Sequence, residues 1–217
     1  MFLLVNSIAL ISADSVFALP DASSGAMELW ERAGVSVRAG KDTLAVRRDV
    51  DMSVFKGDAV DRSFSLAITM TKDAQGVWKA FVDPASLPSE RPPFSMDPLS
   101  IVGSDPDSVF DAALVSLSLT GRKDAIRAVQ YEEVSFTAKG VSGTVLFPLD
   151  GVSGLIVRAR WDKKGDIPAR DVTVVYEGNG RGGFLPVSSR IELERKLALI
   201  FTRKVRVSIQ YSDYTYR

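Results

Sequence analysis

The chain has 217 residues with 27 basic and 27 acidic side chains, and it contains neither histidine nor cysteine. The missing histidine and cysteine exclude a Ser-His-Asp triad, a thiol nucleophile and a Cys/His zinc site, so we expect a protein that is not an enzyme and holds no metal or cofactor. The balanced charge also argues against a nucleic-acid partner, because no net positive field gathers phosphates.

The N-terminus predicts export. Residues 2–13 form a largely apolar run, and Val16, Phe17 and Ala18 supply the residues of a cleavage site at the usual spacing. The run is too short to cross a bilayer, so we expect no transmembrane span. Because no Lys or Arg precedes it, a misplaced start codon or a buried first strand is the alternative. We therefore predict a signal peptide over residues 1–18 and a single exported domain over residues 19–217.

Two helices are predicted on either side of a proline-rich segment. Ser24 can cap the first, and Gly34 is placed to end it. Residues 83–106 are rich in proline, which cannot donate to a sheet ladder, so they form a long loop, either a functional lid or a surface ornament. The second helix then starts with Asp105 as its cap and Pro106 in its first position.

The rest of the chain alternates apolar and polar side chains at period two, which is typical of strands with one buried and one wet face. Arg48 interrupts the apolar row of the first such segment. Turn-rich segments join the strands, which predicts an antiparallel sheet that must curl around something or be covered. The predicted strands are residues 44–54, 63–71, 77–82, 114–119, 125–136, 144–148, 155–161, 171–176, 185–193, 198–201 and 205–211.

Two apparent motifs have simpler explanations. The run Gly178–Gly183 satisfies G-x-G-x-x-G, but a strand follows it where a helix would be needed to bind a pyrophosphate, so a hairpin loop is favoured. Asp105, Asp107 and Asp111 could bind calcium, but a helix dipole already accounts for carboxylates at that position.

The order of these elements resembles the periplasmic lipoprotein-carrier superfamily, the LolA/LolB-like proteins. Its most distinct part is the close of the chain, Gly183-Phe184-Leu185-Pro186 through Arg203-Lys204-Val205-Arg206-Val207 to Tyr211-Ser212-Asp213-Tyr214. The resemblance implies a mainly β fold. It would be an open antiparallel β-barrel, or half-barrel, of about ten strands, with short helices covering an apolar concave face that binds lipid or lipoprotein acyl chains in the periplasm.

Apolar side chains on the predicted strands and helices are the candidate lipid-binding residues. The same side chains would also make a filled core, which is the commoner role of any single one. Two short helices cannot cover about ten strands, however, so some apolar surface should remain for a ligand or partner. The candidates are Leu29, Trp30, Leu66, Ile68, Met70, Phe110, Val145, Phe147, Leu155 and Val157.

Two functions of different classes follow from this sequence. The first is a periplasmic carrier that binds acyl chains in the concavity. The second is a non-enzymatic interaction or envelope-assembly module, in which a sheet edge or the proline-rich segment docks an extended segment of an envelope protein partner. An open concavity favours the carrier, and a core filled by its own aromatic side chains favours the module.

Overall fold

Ten antiparallel strands form one sheet in the computed structural model of the chain. The structure describes residues 24–86, 108–126, 128–151, 153–164, 168–198 and 201–216. The predicted signal peptide, most of the proline-rich segment and the predicted cap of the second helix therefore lie outside the described residues.

Strands that follow one another in the chain are also neighbours in the sheet, except that β3 and β4 lie at opposite edges and β1 pairs with β10. The sheet order is β3-β2-β1-β10-β9-β8-β7-β6-β5-β4, so the last strand pairs with the first and the sheet ends at β3 and β4, which are not paired with each other. The predicted mainly β fold, an open antiparallel half-barrel, is confirmed. The strands are β1 (Thr43–Lys56), β2 (Ala59–Lys72), β3 (Trp78–Val82), β4 (Leu114–Ile126), β5 (Val129–Ala138), β6 (Val141–Pro148), β7 (Ile156–Trp161), β8 (Arg170–Gly178), β9 (Phe184–Ala198) and β10 (Phe201–Tyr216).

Within the described residues one α-helix, α1 (Ser24–Gly40), precedes the sheet, and it is longer than predicted. Gly34 does not end it, because Val37 in the next turn is buried and continues the apolar stripe that contains Trp30. The helix ends at Gly40, where the chain passes close to the β8–β9 hairpin. A Cβ atom on Gly40 would lie 2.1 Å from the Phe184 carbonyl oxygen, so only glycine fits there.

The second predicted helix is reduced, in its described part, to one 3₁₀ turn over Val109–Asp111. Both Val109 and Phe110 are buried in that turn, so its apolar residues still pack on the sheet as expected. The chain enters β4 at Leu114, where the sequence predicts that a strand begins. Only Ala112 and Ala113 separate the turn from β4, which is too few residues for a further helical turn.

Two predicted strand boundaries are wrong. Residues 114–126 form one strand with a bulge between Leu119 and Lys123, because Gly121 adopts a φ of +72° and lets the chain bulge without ending the pairing. Residues 198–201 are not a strand of their own, since Ala198 ends β9 and Phe201, its partner in the register, begins β10. The short apolar run there belongs to the ends of two long strands.

Candidate functional site

The described residues form two hydrophobic clusters on one face of the sheet, which we call the inner face. The first contains buried residues of α1, the 109–111 turn and strands β4 to β8. The second contains residues of β1, β2, β9 and β10. Val207 of the second cluster pairs with Ile191, which pairs in turn with Val172 of the first, and residues opposite each other on neighbouring strands share a face.

Helix α1 covers the first cluster. The Trp30 ring lies 4.7 Å from the Phe110 ring and 5.0 Å from the Phe136 ring, centroid to centroid, so it joins the helix to both the 109–111 turn and β5. At the end of the helix, Lys41 forms an ion pair with Asp111, and the Arg38 guanidinium is 4.0 Å from the same carboxylate. Aromatic packing and exposed ion pairs thus fix the helix and the turn to each other.

The predicted lipid-binding residues divide between the two clusters. Six of them, together with the half-buried Leu29, belong to or pack against the first cluster beneath α1, whereas Leu66 and Ile68 belong to the second. Met70 is buried but is a member of neither cluster. The structure therefore places most of the candidates on one face without bringing them into one group. The six are Trp30, Phe110, Val145, Phe147, Leu155 and Val157.

The second cluster differs from the first in the elements that build it. Within the described part of the chain, it includes no residue of α1 or of the 109–111 turn. Its members come from four neighbouring strands and are nearly all aliphatic. They are Ala45, Val50, Met52, Val54, Phe64, Leu66, Ile68, Leu193, Val205, Val207, Ile209 and Tyr211.

A charged residue lies on the inner face beside this second cluster. Arg48 is 0% exposed, and its guanidinium carbon lies 5.6 Å from the centroid of the Tyr211 ring. The Tyr211 hydroxyl is 3.0 Å from the hydroxyl of Ser189, which is also buried. The sequence interpretation treated Arg48 as a break in the apolar row, yet its position in step with Val50 is the signal that places it on the inner face.

The outer face of the same strands is polar. The Glu192 carboxylate accepts hydrogen bonds from Lys204 Nζ and Arg206 Nε, both at 2.8 Å. The hydrogen bond from Lys204, opposed by partial burial and helped by Arg206, lowers the pKa of Glu192 to about 2. Two strands away, Arg160 and Asp171 pair across β7 and β8 at 3.0 Å. Paired charges of this kind are typical of a sheet face that is exposed to water.

Apolar side chains are exposed near both ends of the sheet. Phe81 on β3 is 56% exposed and Val115 on β4 is 60% exposed. Gly121 and the adjoining bulge distort the far half of β4, which makes that edge less suited to pairing with another strand.

The described residues contain no group of three or more His, Cys, Asp or Glu side chains that could hold a metal ion. Of the three aspartates considered for calcium, only Asp111 is described, and it binds Lys41. No helix in these parts of the chain is long and apolar enough to cross a membrane.

Comparisons with known proteins give one structural likeness. No protein-family model matches the chain, and no curated protein sequence matches it. The crystal structure of a LolA superfamily protein from Nitrosomonas europaea is similar at 15% sequence identity and a TM-score of 0.36. The similarity covers 88% of this chain and 93% of that chain. The ligand of this chain is therefore inferred from its own residues.

Proposed function

We propose that the protein binds acyl chains of lipids or lipoproteins on the inner face of its open sheet. The observation that carries this proposal is that the inner face has two separate buried apolar clusters, of which only the first includes residues of a described helix. Helix α1 and the 109–111 turn pack on the first cluster, while the second cluster is mostly aliphatic and contains no residue of either. An apolar face of this kind is suited to a long aliphatic ligand, whose affinity grows by about 0.8 kcal/mol for each buried methylene.

Native mass spectrometry of the protein purified from its own envelope tests the proposal directly. We expect a bound lipid that survives purification, because an acyl chain released into water would lose its burial. A protein that carries no lipid, and that binds no fluorescent fatty acid when one is added, would contradict the proposal.

The second cluster offers a sharper test with a matched control. Leu66→Gln places an amide among aliphatic side chains, whereas Thr69→Gln places the same amide on the exposed outer side of the same strand. We expect Leu66→Gln to weaken fatty-acid binding by about tenfold or more, because a buried amide without partners costs roughly 1 to 3 kcal/mol. Thr69→Gln should bind as the unchanged protein does.

The binding measurement must be separated from loss of fold. Both variants are therefore compared with the unchanged protein by circular dichroism and thermal unfolding before the probe is added. Equal loss of binding in both variants would mean that the probe does not use the inner face.

We further propose that the protein is exported to the periplasm and acts there as a lipid carrier without enzymatic activity. The apolar run of residues 2–13 and the cleavage pattern at Val16-Phe17-Ala18 support export. The mature chain should begin at or near Leu19, which N-terminal sequencing of the protein from a periplasmic fraction would establish. A retained Met1 in that fraction would contradict cleavage.

A second candidate function is supported by the exposed apolar residues near the sheet ends. Phe81 and Val115 could contact an extended segment of an envelope protein that adds a strand to β3 or β4. In that case crosslinking from these two positions would capture the partner, and the purified protein would carry no lipid.

A further inference from the structure

The β9–β10 hairpin extends past the strands on either side of it. Strand β8 begins at Arg170, which is opposite Leu193, so the part of β9 after Leu193 lies beyond the end of β8. On the other side, the final register pair of β1 with β10 joins Phe55 to Lys204. We call the projecting strand ends, residues 194–198 and 201–203, the hairpin end. At about 3.3 Å per residue, its β9 side is about 16 Å long.

The hairpin end has an apolar tip with basic residues behind it. The sequence over residues 197–201 is wholly apolar, and Ala198 and Phe201 are the outermost register pair of the two strands. Behind them, Arg195 is directly opposite Arg203. Like charges at opposite positions destabilise a strand pair, so this arrangement favours an anionic partner that offsets their repulsion. The basic residues of the hairpin end are Arg195, Lys196 and Arg203, and its acidic residue is Glu194.

Other connections at the same end of the sheet are also basic. Connections between antiparallel neighbours alternate between the two ends of a sheet, so the β1–β2, β5–β6 and β7–β8 connections lie at the same end as the β9–β10 hairpin. Among the described residues at these connections, the exposed lysines outnumber the exposed aspartates, Asp58 and Asp162. This end is therefore positive in a chain whose net charge is zero. The exposed lysines are Lys56, Lys139, Lys163 and Lys164.

We propose that this end of the sheet docks on an anionic lipid bilayer, with the apolar tip of the hairpin in the interface and the basic residues behind it beside the lipid phosphates. Apolar side chains enter the boundary between head groups and acyl chains, while Lys and Arg are attracted to anionic lipids from just outside it. The hairpin end has the two kinds of residue in that order along its length. This inference goes beyond acyl-chain binding and does not rest on it, because it concerns the projecting hairpin and not the inner face.

Flotation with lipid vesicles tests the docking. We expect the protein to float with vesicles of phosphatidylcholine and phosphatidylglycerol, and to stay in solution with vesicles of phosphatidylcholine alone. Binding should weaken as the salt concentration rises from about 0.1 M to about 1 M, because salt screens the attraction between the charges. Equal binding to both kinds of vesicle, or binding that salt leaves unchanged, would overturn the proposal.

Single substitutions with matched controls locate the contact. Phe201→Ser should weaken vesicle binding by about tenfold or more, because an apolar anchor is lost. Phe81→Ser, at an exposed phenylalanine on β3, should leave it unchanged. Lys196→Gln should weaken binding about fivefold, which is the effect of one basic residue at an anionic surface. Lys72→Gln removes the same charge from the opposite end of the sheet and should have no such effect.

The outcomes distinguish docking from acyl-chain binding. Each variant is first compared with the unchanged protein by thermal unfolding, and its binding of a fluorescent fatty acid is measured in parallel. All variants share residues 2–13, so any effect of that apolar run is the same in each. Phe201→Ser should keep fatty-acid binding within about twofold while it loses the vesicles.

Two results would contradict the proposal and leave acyl-chain binding intact. If Phe201→Ser floats as the unchanged protein does, the hairpin is not the contact. If the unchanged protein floats with neither kind of vesicle, the hairpin end belongs to a protein contact and not to a membrane. The comparison of vesicles needs no substitution, so it decides the matter even if Phe201→Ser does not fold.

Discussion

At the scale of single residues, Glu192 has the most strongly shifted pKa that the structure resolves. Its carboxylate binds Lys204 and Arg206 across the β9–β10 pair, and its pKa falls from 4.5 to about 2. Because the folded pKa lies below the unfolded one, the charged carboxylate stabilises the fold at pH values above about 4.5. This contribution is lost as the pH falls from about 4.5 to about 2.

Glu192→Gln should therefore act on stability in a pH-dependent way. At neutral pH we expect a loss of about 1 kcal/mol in the free energy of unfolding, as for a partly exposed ion-pair network. Near pH 2 the variant and the unchanged protein should converge. Urea unfolding across this pH range measures the effect, with Glu177→Gln on the exposed end of β8 as the control. A constant difference at every pH would contradict the assignment to Glu192.

For Arg48 the sequence pattern predicts the face of the sheet but not the neighbouring side chains. Its position in step with Val50 on β1 is readable from the sequence and places it on the inner face. Its neighbour Tyr211 lies on β10 and the hydroxyl partner of Tyr211, Ser189, lies on β9, both more than 140 residues further along the chain, and only the strand order brings them together. This polar group of the inner face could not be assembled from the sequence because its parts meet through long-range pairing.

At the scale of elements, α1 stabilises the fold mainly through Trp30. This side chain is 7% exposed and contacts aromatic rings on two other elements. Trp30→Ala should lower the free energy of unfolding by about 3 to 5 kcal/mol, because the cavity cannot close between three elements. Val35→Ala, on the exposed side of the same helix, should change it by less than about 0.5 kcal/mol. Urea unfolding of both variants measures the difference.

A small effect of Trp30→Ala would mean that the contacts of the helix contribute little to the stability of the first cluster. In that case α1 would be a loosely held cover, and the first cluster would be a second place for an acyl chain. Binding of a fluorescent fatty acid to this variant, compared with Val35→Ala, would then rise.

The elements differ in how well local pattern predicts them. The strands were predicted because their period of two reports one buried face. The helix was placed to end at Gly34 since a glycine often ends a helix. In the structure the helix continues past Gly34 because burial of Val37 outweighs the cost of one glycine in a helix. It ends at Gly40 because of the close contact of Gly40 with Phe184. That contact joins residues far apart in the chain, so local signals could not reveal it.

At the scale of the whole molecule, the last strand of the chain, β10, pairs with the first, β1, in the middle of the sheet order. Thr43 is opposite Tyr216, and β1 remains paired with β10 to Phe55. Local alternation predicted the strands but not this order, which divides the candidate lipid-binding residues between two clusters. The open sheet and its apolar face were thus predictable, whereas the separation of Leu66 and Ile68 from the residues beneath α1 was not.

The size of the inner face leads to a prediction about chain length. If an acyl chain lies along the second cluster, affinity should rise about tenfold or more for every two methylenes, until the chain outgrows the apolar surface, and should then level off. Isothermal titration with fatty acids of increasing length, each kept below its micelle concentration, measures this dependence. The corresponding alcohols provide the control, because their slope depends on the chain alone. An affinity that does not vary with length would mean that the hydrocarbon has no place on the inner face.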